Sequence, residues 1–200
     1  MGYCICLDTE TTGLEPGYDE IIQLSIVEAY GAFDDFDCYY KPTRFERWDD
    51  ASRWNNIYPE HVADKLPFSD EENLQIVQSI IDASDIIIGY NIMFDLNMLM
   101  AYGLDFSGKI INDVMFDFAD FFGPMQEDEW YWSDKCECWK NVKLVNAAKY
   151  FQYEFKAHDS LEDVKATINV WENLQNVGVI PVNYSVQSLE ETNIARNYRF

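Results

Sequence analysis

Three acidic segments hold the residue types most able to do chemistry. Asp8-Thr9-Glu10 ends a short apolar run, Tyr3 to Leu7, that reads as a buried central strand. Side chains two apart on a strand share a face, so Asp8 and Glu10 can aim at one point. Two such carboxylates repel unless a cation lies between them, and hard divalent ions such as Mg²⁺ favour oxygen ligands. The competing reading is a strand end leaving the core, where acids are common. Asp95 lies on the first turns of a helix that follows Gly89-Tyr90-Asn91-Ile92-Met93-Phe94; there a carboxylate could simply complement the helix dipole. In His158-Asp159-Ser160-Leu161-Glu162-Asp163, Asp159 and Glu162 have capping-box spacing and are assigned to structure. His158 and Asp163 remain. Histidine is the side chain best suited to accept a proton near neutral pH, although a lone histidine often serves structure.

The elements that must position these residues follow from pattern. Tyr3–Leu7, Ile21–Tyr30 and Phe33–Tyr40 read as an antiparallel meander. Residues 44–67 read as a loop with a short helix. Glu71–Ser84 has helical spacing at Leu74, Val77, Ile80 and Ile81, and Asp85–Tyr90 is a second buried strand. A helix is expected from about Met93 to Tyr102, capped by Gly103. Ile110 and Ile111 begin another short apolar element. Gly123–Asn141 reads as an acidic surface insertion carrying Trp130, Trp132 and Trp139, whose rings suit a local apolar cluster, base stacking or a partner. Helices are expected at Leu144–Tyr150 and Ser160–Asn176. The tail from Pro181 is polar and reads as poorly ordered. The partition is one domain over residues 1–180 and a C-terminal tail over 181–200.

Taken in order, the three segments resemble the histidine branch of the DEDD exonucleases, the DnaQ-like family. Asp8-Thr9-Glu10 matches its first motif, Asn91-x-x-Phe94-Asp95 its second, and His158-x4-Asp163 its third, over roughly residues 3–175. Each motif alone is weak; their order and context make the resemblance specific. The resemblance implies an α/β, ribonuclease-H-like fold, a five-stranded mixed sheet flanked by helices. It implies 3′-to-5′ hydrolysis of single-stranded nucleic acid to nucleoside 5′-monophosphates. Asp8, Glu10, Asp95 and Asp163 would hold two divalent cations, Mg²⁺ with Mn²⁺ as substitute, and His158 would be the general base. Thr11, Thr12, Gly13, Leu14, Asn91 and Phe94 would line the site of the terminal nucleotide. Ile57-Tyr58-Pro59-Glu60-His61-Val62 resembles a family segment that usually reads His-Gly-Ile-Thr-Pro, with Asn55-Asn56 where His-Gly is usual. Asp113 resembles a later aspartate of the family and is weighed as structural.

The charge opposes this reading. The 200 residues carry a formal net charge of −22, whereas nucleic-acid affinity ordinarily comes from Lys and Arg. Three resolutions compete: a short substrate, a local cluster drawn from Lys41, Arg44, Arg47, Arg53, Lys140, Lys143, Lys149 and Lys156, or a partner such as a polymerase that supplies the grip. Rival functions are an exoribonuclease or oligoribonuclease, and a non-catalytic interaction module that keeps the fold. The five cysteines, without a secretory leader or zinc spacing, read as reduced thiols of a cytoplasmic protein. No stretch is long and apolar enough to span a membrane.

Overall fold

A computed structural model describes residues 3–32, 34–128 and 131–197. Strand β1 (Tyr3–Thr11) lies at the centre of a five-stranded sheet ordered β3-β2-β1-β4-β5. β2 (Ile21–Glu28) and β3 (Phe36–Tyr39) pair antiparallel, as the meander expects, while β4 (Ser84–Gly89) and β5 (Ile110–Asp113) pair parallel. The sheet is therefore mixed. Phe33, placed in the third strand by pattern, lies outside the described residues.

The parity of β1 sorts the core into two layers. Ile5 and Leu7 pack with α2 (Glu71–Ala83) and α3 (Met93–Met100) through Val77, Ile81, Leu96 and Leu99. Cys4 and Cys6 face the opposite layer, made by α4 (Val114–Phe122), α5 (Leu144–Tyr150) and α6 (Ser160–Asn176) through Phe118, Ala147, Val164 and Val170. Alternate side chains of a strand point to opposite faces, so Asp8 and Glu10 continue the Cys4–Cys6 row toward α6. A register shift between Glu10 and Thr11 ends regular pairing where the carboxylates emerge.

Three expectations need correction. The strand Ile110–Asp113 runs directly into α4, a helix that pattern reading left out, capped by the Asp113 carboxylate on the Met115 N–H at 3.1 Å. Through residue 197 the tail is ordered: Tyr184 bridges Ile111 at the sheet edge, and α7 (Val186–Asn197) follows. Its Leu189 is fully buried, and Arg196 pairs with Asp120 at 2.6 Å and lies over the Phe116 ring. Leu189 and Val186 on an otherwise largely polar helix leave no clear stripe. Finally, Cys136 and Cys138 form a disulfide, because the turn between β6 (Trp132–Ser133) and β7 (Cys138–Trp139) brings their Cα atoms to 5.2 Å. Cys4, Cys6 and Cys38 are free thiols, the first two buried.

The remaining insertion is a local apolar cluster as well as a surface feature. The Trp132 and Trp139 rings meet edge-on at 4.9 Å, and Trp139 packs so tightly on Gly123 that a Cβ there would lie 2.3 Å from the indole. Trp130 lies outside the described residues. Among the described residues no helix is long and apolar enough to cross a membrane.

Candidate active site

The carboxyl ends of β1 and β4 open into a cleft, the usual place for a ligand in a layered α/β sheet. Asp8 and Glu10 reach it from β1. Asp95 reaches it from α3, in the layer on the other side of the sheet. Thr9, between the two β1 acids, donates its N–H and its hydroxyl to one Asp95 oxygen, at 2.9 and 2.6 Å. These bonds dock the first turn of α3 on the strand end.

The turn before α3 depends on two backbone features. A Cβ on Gly89 would lie 2.3 Å from Ile92 Cδ1 and 3.0 Å from its Cβ, so a larger residue would push the buried Ile92 aside. Asn91 is left-handed at φ 61°, and its N–H donates to Asp113 at 3.0 Å. Asp113 thus caps α4 and pins the α3 turn at once, in keeping with its structural assignment.

Asp163 and His158 come from α6 and the loop before it. Asp159 caps the helix on the Glu162 N–H at 3.4 Å. The Ser160 hydroxyl meets the Ser25 hydroxyl at 2.5 Å, and the Ser160 N–H donates to Gln23 at 3.4 Å. The α6 N-terminus is therefore bolted to β2. His158 is left-handed at φ 67°, and its N–H donates to Asp163 at 3.2 Å. That conformation turns the imidazole outward, where it stands edge-on to the Trp54 indole at 5.9 Å.

Glu10, His158 and Asp163 each offer a ligand atom within 4.8 Å of the others. Asp163 also keeps one buried oxygen without a hydrogen-bond partner. Burial, then its neighbours Asp95, Asp163 and Glu10, push the Asp8 carboxyl well above its ordinary range. Burial and then Asp163 raise Glu10 to about 8, a hydrogen bond from Asn55 opposing. Burial raises Asp95 to about 7 against the Thr9 bonds, and raises Asp163 to about 7 against the His158 N–H. A site that holds protons this strongly is built for more positive charge than the chain provides, and a hard divalent cation fits these oxygen donors.

The carboxylates border a pocket of about 370 Å³ lined by Thr9 to Leu14, Asp50, Ala51, Trp54, Asn55, Phe94 and His158. Thr11, Thr12, Gly13, Leu14 and Phe94 were expected here. Leu14 is 83% exposed, an apolar side chain held in water at the pocket rim. A Cβ on Gly13 would lie 2.5 Å from the Asp19 carboxylate and displace it from the Thr12 hydroxyl it receives at 3.1 Å. Asn91 is displaced from this group: it lines the neighbouring depression with Trp54, His158 and Asp163. Pattern reading missed Trp54, Gln23 and Ser25. Trp54 sits in a short polar helix, α1 (Asp49–Asn55), and nothing in its spacing marks it. A larger depression of about 640 Å³ lies between residues 104–110 and 183–187 and holds none of these groups.

The fold has counterparts among known proteins. E. coli exonuclease I bound to single-stranded DNA in a zinc form superposes with a TM-score of 0.72 at 18% identity, over 89% of this chain and 41% of that one. Its complex with a dT13 oligonucleotide gives 0.70 at 19%, over 88% and 41%. The chain thus spans about two fifths of exonuclease I. Exonuclease X in complex with 5′ overhanging duplex DNA gives 0.60 at 16%, over 94% of this chain and 98% of that one. These likenesses establish the ribonuclease-H-like fold. No curated protein matches the chain significantly. The exonuclease model RNase_T matches residues 5–171, and the chain belongs to that family of phosphodiester-cleaving hydrolases.

Proposed function

We propose that this chain is a 3′-to-5′ exonuclease that hydrolyses the terminal phosphodiester of single-stranded nucleic acid, DNA in preference to RNA, and releases nucleoside 5′-monophosphates. The observation that carries the reading is the meeting of Glu10, His158 and Asp163 within 4.8 Å, beside Asp8 and Asp95. Asp8, Glu10, Asp95 and Asp163 would hold two divalent cations, Mg²⁺ or in its place Mn²⁺, which supply a water of lowered pKa and charge stabilisation at the leaving oxygen.

The chain's own groups do the rest. Leu14 and Phe94 pack on the sugar or base of the terminal nucleotide, a contact indifferent to sequence. Thr11, Thr12 and Gly13 bring backbone close to it, and Asn91 borders the far side. The His158 imidazole, free at the pocket mouth and oriented by Trp54 and its own left-handed backbone, accepts the proton of the attacking water. Oxygen bonds to phosphorus as the phosphorus–3′-oxygen bond breaks in line, and the departing strand keeps a 3′-hydroxyl. Preference for DNA draws support from the DNA complexes of the structural neighbours. The net charge of −22 favours a second reading, in which the substrate is a short oligonucleotide.

The deciding experiment incubates 5′-labelled DNA and RNA strands with the protein in Mg²⁺ or EDTA. A ladder shortening from the 3′ end in Mg²⁺ alone is expected. Absence of any shortening on either strand would refute the reading.

A further inference from the structure

The strong acidity makes the position of every uncompensated cation informative. Arg47, Arg53, Lys165 and Arg196 are held by the carboxylates of Asp49, Asp50, Asp35 and Asp120. Arg44 and Lys109 donate to backbone carbonyls. Lys65 reaches only its neighbour Asp64, at 3.5 Å with both groups exposed, a contact worth little. Lys156, like Lys41, Lys143 and Lys149, enters no ion pair among the described residues, and it lies two residues before His158.

Lys65 and Lys156 line one depression of about 370 Å³, together with His61, Tyr39 and Asn55. His61 accepts the Tyr58 N–H at Nδ1, so its Nε2 carries the ring proton. The Tyr39 oxygen accepts from Gln23 at 3.0 Å, which leaves its own proton to give. The one carboxylate in the lining, Asp159, caps α6 through one oxygen on the Glu162 N–H at 3.4 Å, and its charge also acts on Tyr39. Asn55 is the partition: it lines this depression and the catalytic pocket, and donates to Thr11 O at 3.4 Å. The depression on the far side of the pocket has Val142, Leu144, Val145 and Phe155 around a single cation, Lys143, with the Asp163 carboxylate also in its lining, and so is less suited to a phosphate.

We propose that the depression bounded by Lys65, Lys156 and His61 is a phosphate subsite, which binds a phosphodiester group of the substrate strand adjoining the terminal nucleotide. It rests on the exonuclease reading for the identity of its ligand, and it requires a substrate with at least one phosphate beyond the bond that is cut. It supplies a local grip on a polyanion that the rest of the surface repels.

The test measures binding of a short 5′-fluorescein oligothymidylate by anisotropy with Ca²⁺, over a salt series. The proteins are wild type, Lys65→Ala/Lys156→Ala, Lys41→Ala/Lys149→Ala, and Lys143→Ala. Loss of one phosphate contact to a single strand lowers the slope of log K against log salt by about 0.7. That loss, with weaker binding, is expected for Lys65→Ala/Lys156→Ala. Lys41→Ala/Lys149→Ala removes the same charge from outside the depression and is expected to match wild type. The proposal is overturned if wild type does not bind, if both double variants weaken equally, or if Lys143→Ala alone carries the loss. Wild type that binds through these lysines yet cuts no strand would overturn the exonuclease reading and leave the subsite standing.

Discussion

The carboxylate cluster sets binding capacity against stability, and single substitutions separate the two. Asp163 is partly buried beside other acids, and one of its oxygens has no partner. Asp163→Asn removes the charge and keeps the shape. It is expected to lower kcat by about 10³-fold or more, in line with losses on removing a transition-state electrostatic contact. In EDTA its melting temperature should rise above wild type, because a repelling charge has gone. A lower melting temperature in EDTA would mean that the His158 N–H bond to Asp163 outweighs burial and repulsion from Asp159 and Glu162. His158 is a sharper case, since it lies within ligand distance of Glu10 and Asp163 yet is assigned proton transfer. His158→Ala is expected to reduce kcat by about 10²–10⁴-fold, the usual range for a general base. Calorimetric titration should still find Mn²⁺ binding near wild-type affinity. A collapse of Mn²⁺ binding would reassign the imidazole as a ligand.

Strands and helices place these residues from both sides of one sheet, and this division governs what pattern could reveal. The three acidic motifs were legible because strand parity and helix starts are local: Asp8 with Glu10, Asp95 after its turn, Asp163 one turn into α6. The bolts that align them were not. Ser25 and Ser160 are 135 positions apart, and neither residue type marks such a pairing. Ser160→Val would remove this partner from the fully buried Ser25, which still donates to Asp37 at 2.8 Å, at a cost of about 0.5–1.5 kcal/mol for the lost bond. It would also loosen His158 and Asp163, so kcat should fall more than a pure stability defect explains when assayed well below the melting temperature. The elements missed by pattern failed for different reasons. α4 is short and follows β5 with no break, so its apolar run merges with the strand. α7 is mostly polar; Leu189, with Val186 beside it, closes the layer beneath the sheet edge, while Ile194 is exposed. Leu189→Ala should cost about 2–5 kcal/mol of stability. Because α7 touches no catalytic group, kcat at low temperature should stay at the wild-type value; a large loss there would show that α7 supports the site.

Acid dominates the protein as a whole, and pH provides the means to test whether that acid is organised. Glu10, Asp95 and Asp163 hold their protons to about 7 or 8 in the fold, against about 4 in an unfolded chain. Between those values the folded state binds more protons than the unfolded state, so stability falls as pH rises. Their contribution is present in full below about pH 4 and is lost through pH 7 to 8. General repulsion from the net charge of −22 acts in the same direction, so the two must be separated. Molar salt does this, because it shortens the screening length to about 3 Å and silences exposed charges while sparing buried ones. In EDTA and molar salt, the melting temperature should therefore still decline from pH 5 to pH 8. Saturating Mn²⁺ binds the native state alone and would add about 2.7 kcal/mol at a hundredfold excess over Kd. It also displaces the protons, so its stabilising effect should grow with pH and flatten the decline. Asp163→Asn should flatten it in part without metal. Melting curves that coincide with and without Mn²⁺ across that range would mean that these side chains share no cation.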